Sequence, residues 1–173
     1  MMQQIHIQYH QTKIGELILG AFDQKLCLLD FRYRKKRTTI DHRIKRELEA
    51  DFIEQSDAVT NTAKQQIDAY LAGNRRLFNI PLLMTGSDFQ KQVWNKLMEV
   101  TYGTTCSYAQ LAKQMHHEKA VRAVANANGA NAIALIIPCH RIIGSNGQLT
   151  GYAGGLAAKQ YLLHLEQGYA TLV

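Results

Sequence analysis

The chain lacks long apolar runs, a full set of paired cysteines and any compositional bias, and each absence narrows what it can be. No window of its 173 residues approaches the roughly 18 apolar residues of a membrane span, although 46% of its residues are hydrophobic, an ordinary share for a globular protein. An integral membrane protein built on spanning helices is excluded. Three cysteines, Cys27, Cys106 and Cys139, cannot all pair, so at least one thiol is free. The start, Met1-Met2-Gln3-Gln4-Ile5-His6, has no basic stretch leading into an apolar one, so no secretory signal is read and a cytoplasmic protein is expected. No internal repeat or low-complexity segment occurs, and the length fits one core or two small lobes.

Acidic residues are the scarcer charge, 14 against 20 basic ones, for a net +6 that favours an anionic partner. Residues 1–85 hold 13 basic and 10 acidic residues, and residues 86–173 hold 7 and 4, so the excess is not concentrated in one tail.

Residues 5–9, 15–22 and 26–31 read as three strands of an antiparallel meander. The basic run Arg32-Tyr33-Arg34-Lys35-Lys36-Arg37 fits either a solvated loop or a nucleic-acid patch. Residues 42–54 and 60–71 read as helices, the second closed by Gly73-Asn74. Pro81 and the turn Thr85-Gly86-Ser87 mark a lobe boundary, with an amino-terminal lobe at 1–84 and a carboxy-terminal lobe at 85–173.

Ser87 with Gln90 forms a capping box for a helix whose buried face runs through Phe89, Val93, Leu97 and Val100. Ser107 with Gln110 forms another, opening a helix over 108–115, and a third helix is expected over 119–128 before Gly129. These two short helices have helix-turn-helix proportions. Ala120, Ala123, Ala125 and Ala127 make the latter slim, which suits packing against a neighbour or close approach to a partner. Residues 133–137, Ile-Ala-Leu-Ile-Ile, read as a strand buried on both faces and stopped by Pro138. Ser145-Asn146-Gly147 predicts a tight hairpin, Gly151, Gly154 and Gly155 a loop around Tyr152, and residues 156–166 a closing helix.

Cys139 follows a proline and precedes His140, so it reads either as an inert buried thiol or as a nucleophile with a base beside it. On an extended chain the two side chains point to opposite faces, and a turn or a water must connect them. Cys27 and Cys106 have no such neighbour and read as packing residues.

The run Ile137-Pro138-Cys139-His140-Arg141-Ile142-Ile143-Gly144, with Tyr108-Ala109-Gln110-Leu111-Ala112, Ala120-Val121-Arg122-Ala123-Val124 and Gly151-Tyr152-Ala153-Gly154-Gly155 in that order and spacing, strongly resembles the O6-alkylguanine-DNA alkyltransferases. These are also called methylated-DNA-protein-cysteine methyltransferases. The likeness covers residues 87–169, and more loosely the first lobe at Ala69-Tyr70-Leu71-Ala72-Gly73. It is nearest the bacterial, constitutive single-unit type, because an added domain with four zinc-binding cysteines is lacking.

The resemblance implies an α/β protein: a small amino-terminal lobe with an antiparallel sheet and helices, and a mostly helical carboxy-terminal lobe with a winged helix-turn-helix and the active-site cysteine. It implies that Cys139 irreversibly accepts the alkyl group of O6-alkylguanine once per molecule, and it leaves open whether O4-alkylthymine is also a substrate. His140 acts through a water as base, and Glu166 orients it. Tyr108 donates to the purine as charge grows there. Tyr152 and the backbone near Ala153 line the opposite wall, and the carbonyls of Cys139 and Ile142 accept the exocyclic amine. Some relatives carry serine where this chain has Ala153, so one hydroxyl contact is missing. Arg122 fills the stack vacated by the flipped nucleotide, while Ala123, Ala127 and Asn128 accompany it in the minor groove. Asn131 links the recognition helix to the active-site strand. The partner implied is double-stranded DNA, bound by a monomer, without a membrane and without a cofactor. No metal is expected, since Cys27, His6 and His10 lack a four-ligand spacing. A sensor of alkylated bases, a winged-helix regulator and a turning-over thiol hydrolase are the rival readings.

Overall fold

A computed structural model describes residues 2–168, so residues 169–173 at the end of the expected second lobe lie outside it. The chain divides into two compact units, Met1–Gly86 and Ser87–Val173.

In the first unit, β1 (Gln3–Thr12), β2 (Gly15–Phe22) and β3 (Lys25–Phe31) form the expected antiparallel meander. The β2–β3 turn is made by Asp23 and Gln24, both at positive φ (52° and 62°), the geometry that matches the natural twist of two paired strands. Gly20 sits where a Cβ would come within 3.1 Å of the Leu28 Cβ, so the close approach of β3 requires the missing side chain.

One expectation is corrected in this unit. Residues 42–54 are not one helix: α1 spans Arg37–Leu48, and Ala50–Glu54 is a strand, β4, parallel to β1 in the order β3-β2-β1-β4. Glu49 takes a left-handed conformation (φ 50°) that ends the helix. The following residues then satisfy their backbone on β1 with pairs such as Ile5 with Phe52, a gain that no helical pattern shows.

Three of the five cations in the basic run, Arg32, Arg34 and Arg37, are tied down within this unit, while Lys35 and Lys36 are exposed. Arg34 and Arg37 both reach the fully buried Asp30 carboxylate, at 3.0 and 2.9 Å, and Arg32 pairs with Glu16 at 2.7 Å while lying over the Tyr9 ring. Helix α2 (Ala58–Leu71) begins two residues earlier than expected because Asp57 caps it, accepting from the Val59 amide at 2.8 Å. His6 and His10, one face of β1, bind Asp57 (2.9 Å) and Asp68 (2.7 Å) and fasten α2 along the sheet.

The second unit contains α3 (Asp88–Leu97), β5 (Cys106–Ser107), α4 (Tyr108–Gln114), α5 (Val121–Gly129), a 3₁₀ turn (Cys139–Arg141), β6 (Ile142–Ile143) and α6 (Leu156–Glu166). Both expected capping boxes are present in full. The buried face of α3 is Val93, Trp94 and Leu97, with Phe89 and Val100 only half-buried. Trp94 turns the face by one position and donates its indole N–H to the Ala127 carbonyl at 2.8 Å, tying α3 to α5.

Residues 133–137 are a second correction. They are buried except for half-buried Ile136, but they turn through residues 134–136 rather than running as a strand, with Leu135 at φ 70°. The Ile137 amide bonds the Ile133 carbonyl at 3.0 Å, the Ile136 amide the Ala134 carbonyl at 2.8 Å and the Ile133 amide the Asn131 side chain at 2.9 Å, so an apolar run can be interior without a ladder. The Asn-Gly turn forms, with Gly147 at φ 81° and Gly144 bonded to Gln148, but among the described residues it carries no paired strands. Ile142 and Ile143 instead pair in parallel with Cys106 and Ser107. The α4–α5 pair has the expected helix-turn-helix order, and the segment expected as a tight hairpin is a turn. Among the described residues no helix is long and apolar enough to cross a membrane.

Candidate active site

Pro138 has no amide to donate, and the chain after it closes a single 3₁₀ turn in which the Arg141 amide bonds the Pro138 carbonyl at 3.0 Å. Cys139 and His140 are therefore not on an extended chain. With three residues per turn, successive side chains fan out by about 120°, and the His140 ring leaves the sulfur's side for the closing helix. There its Nε2 lies 2.8 Å from Glu166 Oε2, both groups fully buried. The nucleophile candidate is itself only 6% exposed.

Glu166 carries a second load that the sequence reading did not assign. Arg141 donates from Nε to Oε1 at 2.8 Å and from Nη2 to Oε2 at 2.9 Å, and its Nη1 bonds the Val100 carbonyl at 2.6 Å. Burial would raise the Glu166 carboxyl, but the bonds and charges of His140 and Arg141 outweigh it and hold its pKa down at about 2. Burial pushes His140 below its ordinary value; Glu166 opposes that push, and the Arg141 and Lys159 charges assist it. A neutral imidazole anchored through Nε2 leaves Nδ1 as the ring nitrogen that can take a proton.

Asn131, just beyond α5, bridges the turn segment by donating to the Ile137 carbonyl and accepting from the Ile133 amide, each at 2.9 Å. It joins the end of the helix to the residues preceding Cys139.

Tyr108 opens α4, and its hydroxyl lies 3.1 Å from Thr150 Oγ1. Lys159 on α6, completely buried, donates to the Thr150 carbonyl and to its Oγ1, both at 3.2 Å. Burial lowers the Lys159 ammonium from its ordinary value, and the charge of Cys139 partly offsets this. Tyr152 is half-buried with its ring edge-on to His140, centroids 6.3 Å apart, and Ala153 follows it in the loop that enters α6 at Gly155. Ile142, which follows the 3₁₀ turn, is fully buried.

On α5, Arg122 and Ala123 are exposed, as is Asn126. Ala127 (2% exposed) and Asn128 (6%) face inward with Val124, which corrects their expected place on the DNA surface. The helical period explains it: positions 124, 127 and 128 share the face that packs on α3, leaving 122, 123 and 126 opposite.

The other thiols behave as packing residues. Burial pushes Cys27 up to about 12 and Cys106 up from its ordinary value, while Cys27 Sγ contacts the Gly20 carbonyl at 3.5 Å. The residues missed from sequence were Arg141, Lys159 and Thr150. Only Arg141 lay within a quoted motif, and a buried lysine carries no pattern that separates it from a surface one.

Two domain patterns of one family match the chain: the ribonuclease-like domain of 6-O-methylguanine DNA methyltransferase over residues 5–84 and its DNA binding domain over residues 88–168. The methylated-DNA--protein-cysteine methyltransferase of Mycobacterium tuberculosis is 48% identical over 171 residues, 96% of this chain and 94% of that one. The protein of the same name from Methanosarcina acetivorans is 41% identical over 156 residues, 90% of this chain and 94% of its own. Among solved structures, M. tuberculosis OGT in complex with DNA superposes with a TM-score of 0.80 at 37% identity, covering 94% of this chain and 93% of that one. With both patterns matched in order across nearly the whole chain, and a buried Cys-His-Glu arrangement at the heart of the second, the chain belongs to the 6-O-methylguanine DNA methyltransferase family.

Proposed function

We propose that Cys139 is the alkyl acceptor, and that the chain repairs O6-alkylguanine in double-stranded DNA by moving the alkyl group irreversibly to that sulfur, once per molecule. Repair of DNA by alkyl transfer to a protein cysteine is the activity of the family. The single observation that carries the choice of Cys139 is the His140–Glu166 bond of 2.8 Å beginning at the very next residue, whereas neither Cys27 nor Cys106 has a histidine beside it in the sequence.

The Cys139 proton passes through a water to His140 Nδ1, and Glu166 stabilises the imidazolium that results. The thiolate pair then forms the S–C bond as the C–O6 bond breaks, its electron pair passing to the purine. Tyr108 meets that growing charge as a hydrogen-bond donor. Tyr152 and the backbone around Ala153 form the opposite wall, and the Cys139 and Ile142 carbonyls accept the exocyclic amine.

The base is reached by flipping it from the stack, which costs a few kcal/mol. Exposed Arg122 on α5 fills the gap from the minor groove, with small Ala123 beside it permitting close approach. Asn131 keeps α5 and the cysteine turn in register, and the protein works as a monomer.

The test is stoichiometric. Labelled methyl from O6-methylguanine DNA is expected on the protein at no more than one equivalent, located on Cys139 by peptide mass spectrometry. Cys139→Ala should abolish uptake and keep DNA binding. Repeated turnover by unmodified protein, or label on Cys27 or Cys106, overturns the reading.

A further inference from the structure

A buried ammonium is costly unless its protons are taken up, and Lys159 delivers two of its three donors to one residue, Thr150. The Thr150 side chain is half-buried in the loop before α6, and its hydroxyl also lies within hydrogen-bond distance of the Tyr108 phenol. One hydroxyl thus stands between a cation and the residue that addresses the purine. A threonine hydroxyl has a single proton and two lone pairs. With Lys159 donating into one lone pair, the threonine keeps its proton to give to the phenol oxygen, and in that arrangement the phenol proton is left for a third group.

We propose that Thr150 is a positioning residue that relays the Lys159 charge to Tyr108, aligning the phenol proton toward the purine and strengthening it as a donor while the alkyl group departs. The proposal rests on the reading of Tyr108 as the purine donor. The chain is Lys159 N–H to Thr150 oxygen, Thr150 O–H to Tyr108 oxygen, Tyr108 O–H to purine, and each link polarises the next. Nothing covalent passes along it: sulfur gains the carbon, the purine keeps the C–O6 pair, and the relay supplies only hydrogen bonds. It also accounts for a lysine sealed inside α6, far from the exposed faces where lysines normally sit.

The experiment is a double-mutant cycle read as single-turnover alkyl-transfer rates, on duplex O6-methylguanine and on free O6-benzylguanine. Tyr108→Phe should slow transfer by about 100-fold, the loss seen when one donor to a developing anion is removed. Thr150→Val, nearly isosteric but lacking the hydroxyl, should slow it by about ten-fold on both substrates, with DNA affinity unchanged. In the Tyr108→Phe background the same change should cost less than about two-fold, because the relay then has no terminus. Thr150→Ser should restore the wild-type rate, and Thr150→Ala repeats the test should valine disturb folding. Additive losses, or serine as slow as valine, overturn the relay. A wild-type rate for Tyr108→Phe refutes instead the donor role of Tyr108, leaving Cys139 as acceptor.

Discussion

Arg141 grips both carboxylate oxygens of Glu166, Nε to Oε1 at 2.8 Å and Nη2 to Oε2 at 2.9 Å, on the same carboxylate that holds His140. The carboxylate is thereby neutralised by a permanent cation before the imidazole contributes any charge. Burial holds His140 below its ordinary value even against a carboxylate, and the Arg141 charge assists, so the imidazole is available as a base rather than locked as a cation.

Arg141→Gln should remove a charge that holds His140 down and draw the imidazole's titration upward. Breaking a buried pair from one side also costs about 3–5 kcal/mol. Histidine NMR titration with urea denaturation checks both; an unmoved His140 midpoint would refute the neutralising role.

Acid should weaken the protein in two steps of the same sign. His140 binds its proton less tightly folded than unfolded, so its contribution is complete above about pH 6.5 and fades as the pH falls below that. Glu166 follows, its contribution complete above about pH 4.3 and gone once the pH has passed down through about 2. Urea midpoints measured across this range should decline with acidification, and a His140 midpoint above about 6.5 contradicts the assignment.

Arg122→Ala should slow repair in duplex DNA by about ten-fold or more, the worth of a few kcal/mol of unstacking support, and spare free O6-benzylguanine, which needs no extrusion. The motivation is its exposed position on α5. Equal slowing of both substrates would remove the wedge role.

Gly103 stands at φ 81° with the Glu166 carbonyl 3.1 Å from where a Cβ would be. Gly103→Ala should destabilise the second unit by about 1–3 kcal/mol, through both the left-handed backbone and the crowding of the end of α6. A melting temperature within error of wild type would sink this account.

Much of the architecture was legible because its signals are local. Ser87 with Gln90 and Ser107 with Gln110 mark helix starts through bonds spanning three residues, and α6 occupies the expected 156–166. The ordered motifs around Cys139 pointed to the family before any fold was seen. The face of α5 was misjudged at Ala127 and Asn128 because small residues carry little periodic contrast, and it took Trp94 on α3 to choose the inward side. Residues 133–137 carry a strand's composition but find their hydrogen bonds locally, among themselves and with the Asn131 side chain, a choice invisible in apolarity.

The sequence by itself determined where helices begin, which thiol has a base for a neighbour, and which lineage the chain belongs to. Each depends on residues a few positions apart. Tertiary structure decided that Ala50–Glu54 joins the sheet, that Arg141 shares Glu166 with His140, and that Lys159 is interior beside Thr150. Those outcomes depend on partners such as Arg141 and Glu166, 25 positions apart, or Tyr108 and Thr150, 42 apart. Only burial of the intervening chain brings such groups within hydrogen-bond reach and out of water, where their charges govern one another.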